Sequence, residues 1–151
     1  MTPALPLMHD EVFLEEHRRI RLRLLRLRKF ASPESGFPTV LSSLIACVDE
    51  IEMLVPDLME HFAHEERVFF MDYDAETATE GQQKAEQVLA EHLPLLRELR
   101  ALLESGRTVI EELRASGSAG SMAEALKVYL AATVEDLLEH EEREGQFYAS
   151  H

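Results

Sequence analysis

The stretch HFAHEERVFF, His61 to Phe70, sets a glutamate four residues after a histidine inside a run of helically spaced apolar residues. Residues four apart on a helix share one face. His61 and Glu65 can therefore offer an imidazole nitrogen and a carboxylate oxygen to one cation. The same ten residues also fit an ordinary helix end in a glutamate-rich chain. Glutamate fills 23 of 151 positions beside seven histidines, so about one such pair is expected by chance. Two occur, the second being His140 and Glu144 in HEEREGQF.

Position gives the pairs their weight. His61 and Glu65 continue the stripe Leu44, Val48, Ile51, Val55, Leu58 and lead to Phe69. His140 and Glu144 continue Leu126, Leu130, Thr133, Leu137 and lead to Phe147. Two further stripes run Phe13, His17, Ile20, Leu24, Leu27 and Val88, His92, Leu95, Leu99, Leu102. A carboxylate on such a face enters a packed core, where it needs a cation or several donors.

This spacing predicts helices over 8–30, 39–71, 78–114 and 121–148, and no segment alternates as a strand would. ASPESGFP, MDYDAETATEG and ASGSAGS separate them, rich in turn residues. Four amphipathic helices joined by short turns make an all-α, antiparallel, up-down-up-down four-helix bundle, a single domain over 8–148. Pro56 and Pro94 each remove a backbone donor and favour a kink near a histidine, with no site role assigned to either.

Bulk properties exclude several classes. Fifteen basic against 29 acidic residues give a net charge of -14, unsuited to neutralising nucleic-acid phosphates. Cys47 is the lone cysteine, which rules out an intrachain disulfide and multi-cysteine zinc sites. It reads as a small packed side chain. No run reaches membrane-spanning length, and MTPALPLMHDE is too short and too quickly charged for a signal peptide. A cytoplasmic location is the default expectation. RRIRLRLLRLRK, Arg18 to Lys29, spreads its arginines around the helix, which predicts intramolecular pairing or a self-association surface.

In an antiparallel bundle the start of helix one meets the ends of helices two and four, gathering His17, His61, Glu65, His140 and Glu144. His92 fits less well, lying about 21 Å into the third predicted helix at 1.5 Å per residue. Four histidines and two core-facing carboxylates amount to a dinuclear site. Iron suits these nitrogen and hard oxygen donors better than copper, while zinc and manganese match the ligand types too.

The residues resemble the hemerythrin-like, or HHE, cation-binding domain family. The resemblance rests on EEHRRI with His17, HFAHEERVFF with His61 and Glu65, AEHLPLL with His92, and HEEREGQF with His140 and Glu144. It implies a four-helix bundle holding two bridged iron ions, with Glu65 and Glu144 as bridges and the four histidines as terminal ligands. It further implies dioxygen, nitric oxide or a similar small molecule as ligand, in oxygen or redox sensing or in stress defence. Oxygen carriers of the family have a second histidine on helix three, where this chain has Leu96. That departure weakens reversible oxygen carriage more than metal binding.

Around the set, His64 reads as an edge residue outside the ligands, Glu66 as solvated and Arg21 as an ion-pair partner. His9 and His151 earn no role. Phe13, Phe62, Phe69 and Phe147 either exclude water from a pocket or simply pack. Tyr148, one turn after Glu144, is a candidate donor to a bound oxygen species. Three functions follow: a di-iron binder of a diatomic ligand, a di-iron oxidase or iron-handling and nitrosative-stress repair protein, and an acidic structural or regulatory bundle with a vestigial site.

Overall fold

The leucine and isoleucine stripes meet as a four-helix bundle. The structure, a computed structural model, describes residues 11–71 and 73–149, with side chains as far as Gln146. In order come α1 (Glu11–Phe30), α2 (Leu41–Met71), α3 (Glu80–Leu89), α4 (His92–Ser116) and α5 (Ser121–Ala149). α1, α2, α4 and α5 pack around one core in the cycle α1–α2–α4–α5. This is the all-α bundle the four stripes predict. His9, His151 and the side chains of Phe147 and Tyr148 lie outside the described residues.

Leu24, Leu44, Leu58, Leu99, Leu130 and Leu137 have no exposed surface. Each adds about 1.5–3 kcal/mol relative to an exposed position. Val55, read as a stripe member, is only half-buried and packs at the edge of this core. Gly106 lets α4 approach α2 closely, since a Cβ there would stand 2.7 Å from Val48 Cγ2. Gly117, at φ 77°, closes α4 in the left-handed conformation that favours glycine.

The third predicted helix is two helices. The chain turns at Ala90 and Glu91, between α3 and α4. Pro94 supplies the reason. A continuous helix would press its ring against the Ala90 carbonyl, whereas proline is tolerated in a first turn, where backbone N–H groups lack helical partners anyway. Restarting the helix also removes the axial mismatch of His92, which is the first residue of α4 instead of lying deep inside a long helix. α2, by contrast, runs through Pro56 without a break.

α3 begins at a capping box in which the Thr79 side chain accepts from the Gln82 amide and the Gln82 side chain accepts from the Thr79 amide. It packs on α2 and α5, on the α2 side through a small cluster of Phe69, Ala85 and Leu89, flanked by Tyr73. No described helix is long and apolar enough to cross a membrane.

Candidate metal centre

Each helix of the bundle delivers one histidine to a shared end: His17 from α1, His61 from α2, His92 from α4 and His140 from α5. Glu65 and Glu144 lie among them, both buried. Glu144 serves two sides. Its Oε1 is 2.9 Å from His92 Nε2 and touches His140 Nε2, while its Oε2 is 3.8 Å from His61 Nε2. Glu65 Oε1 sits between the two sides, 3.1 Å from His61 Nε2 and 3.7 Å from His92 Nε2. The structure thus brings together all six residues singled out in the sequence.

It also adds a seventh. Glu141, one residue after His140, is wholly buried, with Oε2 2.6 Å from His17 Nδ1. Potential ligand atoms of His17, His61, Glu141 and Glu144 all lie within 4.8 Å of one another, and so do those of His92, His140 and Glu144. Two donor clusters therefore share one carboxylate. The signal for Glu141 was present in the sequence: it follows Leu137 by four residues and precedes Glu144 by three, so it lies on the apolar face. Its neighbour His140 masked it.

An outer layer of carboxylates orients the imidazoles. His61 Nδ1 bonds Glu16 at 3.0 Å, His92 Nδ1 bonds Glu66 at 3.2 Å, and His140 Nδ1 bonds Glu91 at 3.0 Å. Each carboxylate comes from the helix, or in Glu91 the N-cap, preceding its histidine in the cycle. With Nδ1–H donating outward, each Nε2 lone pair points to the shared carboxylates, the tautomer a metal ligand needs. Glu66 is therefore not simply solvated, as its sequence position suggested. Glu91 leaves its own helix uncapped and turns to His140 and Arg143.

The electrostatics fit a cation. Burial, then the neighbouring Glu144 charge, pushes the Glu65 carboxyl well above the usual range, and burial with the Glu141 charge does the same to Glu144. Burial, reinforced by the positive charges His140 and His61 would carry, drives His92 down to about 2. Both Glu141 oxygens, Glu144 Oε2, His61 Nε2 and His140 Nε2 are buried without a well-formed hydrogen bond. Such atoms are costly in a dry interior and suited to a positively charged ligand. The four imidazoles and three carboxylates fit metal ions.

Aromatic rings close the centre from within. Phe62 stacks on His92, with centroids 3.7 Å apart and planes 2° from parallel, and meets the His140 ring at 72°. His64 stacks on Phe13 and bonds Glu16 at 3.3 Å, outside both donor clusters. Phe69 belongs to the α3 cluster. Leu96, one turn after His92, is half-buried against the core. Along α1, Arg18 pairs with Glu15, Arg23 with Glu50 and Asp57, and Arg28 with Glu135, while Arg21 is exposed.

The chain matches the hemerythrin HHE cation-binding domain over residues 8–149. It belongs to that family. No curated protein and no solved structure matches it. As a hemerythrin-like domain it carries, at one end of a four-helix bundle, His and Glu clusters capable of coordinating a metal ion.

Proposed function

We propose that this hemerythrin-like chain is a non-haem di-iron protein that binds dioxygen or another small diatomic ligand, such as nitric oxide, in oxygen or redox sensing or a stress response. The observation that carries the reading is Glu144, whose two oxygens face different histidine sets, as a carboxylate between two ions must. One ion would be held by His17 and His61 and the other by His92 and His140, with Glu65 and Glu144 between them. Bound there, iron would supply a redox-active centre. Zinc and manganese accept the same donors.

The chain's own residues prepare the site. Glu16, Glu66 and Glu91 hold the outer imidazole protons, so the inner nitrogens are fixed before a cation arrives. Phe62 covers His92 and restricts bulk water. Burial favours the neutral form of Glu65 and Glu144, a bias that a bound cation opposes. Metal analysis with optical spectra tests the reading: about two irons per chain are expected from the paired donor sets. A folded chain that takes up neither iron nor any other divalent metal overturns it.

Leu96 favours a second reading, because an apolar side chain there leaves a donor fewer than an oxygen carrier needs. In that reading the centre is a di-iron oxidase or handles iron or nitrosative damage. Dioxygen added to the reduced protein separates the two. A reversible spectral change supports binding, and sustained turnover supports oxidation.

A further inference from the structure

Glu141 is unlike the outer carboxylates. Side chains of Glu16, Glu91 and Glu66 are 17%, 34% and 44% exposed, so each keeps access to water, whereas the Glu141 side chain has none. An outer partner needs only to accept one N–H. Glu141 also meets an imidazole, with Oε2 2.6 Å from His17 Nδ1, but it lies inside, within 4.8 Å of ligand atoms of His17, His61 and Glu144, and the contact is not a well-formed hydrogen bond. A carboxylate in that position is built to face a cation.

The two halves of the centre are consequently unequal. The side of α1 and α2 has His17, His61 and Glu141 besides the shared carboxylates. The side of α4 and α5 has His92 and His140, and the next turn of α4 brings Leu96, which donates nothing. Resting on the di-iron reading above, we propose that Glu141 is a terminal ligand of the ion held by His17 and His61, and that the open position lies on the ion held by His92 and His140, toward Leu96. Three carboxylates do not neutralise two divalent ions, and still less two trivalent ones, so this position accepts a small anion as well as a neutral diatomic molecule.

The test uses the full chain loaded with iron, counting iron retained against a chelator and titrating the oxidised protein with azide. Glu141→Gln keeps the volume and an acceptor for His17 but removes the anionic ligand. Its retention of iron is expected to fall by at least the about 10- to 100-fold typical of losing even an outer partner. Leu96→His sets a donor one turn from His92, where Cβ atoms lie about 5–6 Å apart, and is expected to keep both irons while losing azide binding. Wild-type retention of both irons in Glu141→Gln overturns the proposal, since an orienting role survives that change. Wild-type azide affinity in a folded, iron-loaded Leu96→His chain overturns it as well. A wild-type chain that binds no metal would instead remove the function proposed above.

Discussion

Replacing Glu144 by glutamine should change stability with opposite signs in the metal-free and loaded states. The side chain is buried, its Oε2 lacks a well-formed hydrogen bond, and burial together with Glu141 raises its pKa well above 4.5. Glutamine fills the same volume without charge. In chelator the variant should match or exceed the wild type, by up to the about 1–3 kcal/mol that an unsatisfied buried polar group costs. Because the folded carboxyl is the more basic, its contribution is intact below the unfolded pKa and is lost as pH rises toward the folded one. The advantage of Glu144→Gln should therefore grow as the pH rises above the ordinary carboxylate range. Loading reverses the order. Metal at a thousand times its Kd adds about 4.1 kcal/mol. A domain of this size gains about 2–4 °C per kcal/mol, so the wild-type Tm should rise by about 8–16 °C and the variant's by far less. Calorimetry with chelator and with anaerobic iron(II) measures both. A vestigial site would show no loading shift in the wild type. A variant less stable than wild type in chelator, or one with the full loading shift, would refute the reasoning.

Glu91→Ala should weaken metal retention about 10- to 100-fold in chelator competition while the bundle still folds, because it removes the acceptor for His140 Nδ1 together with the ion-pair partner of Arg143. Cys47, which burial and then Glu50 push up to about 12, should resist alkylation at pH 8, with mass spectrometry showing modification only on unfolding. Rapid stoichiometric labelling of the folded chain would contradict that burial. Gly106→Ala should lower stability by about 1–3 kcal/mol, because its Cβ would meet Val48 Cγ2 at 2.7 Å in a packed core. Gly145→Ala meets only His17 Nε2, at 3.7 Å, and should instead gain about 0.5–1 kcal/mol from helix propensity in the metal-free chain. Denaturant melts compare the pair.

Helices α1, α2 and α5 were legible because burial on one face forces a three-and-four spacing that side chains cannot hide. The break before α4 was legible only as Pro94. Whether a proline kinks a helix or opens a new one depends on where the preceding chain can pack, and α3 sets its own Ala85 and Leu89 against Phe69. That choice is tertiary, and no local pattern records it.

The same distinction divides the centre. A stripe is one residue wide, so it reveals one candidate donor per turn and finds His61 with Glu65 and His140 with Glu144. A cage between four helices draws on a wider arc. Glu16, Glu66 and Glu91 each stand next to a residue of the stripe and serve the histidine of the following helix in the cycle. Their function therefore depends on a neighbour distant in sequence, by 45 residues in Glu16 with His61 and 49 in Glu91 with His140. In a chain with so many glutamates, nothing in their own surroundings distinguishes them from the solvated ones. Glu141 shares that adjacency, yet packing carries it inward to the His17 side. The chemistry of the centre thus follows from which glutamates the bundle buries, and the asymmetry between its halves from one buried carboxylate on α5 and one leucine on α4.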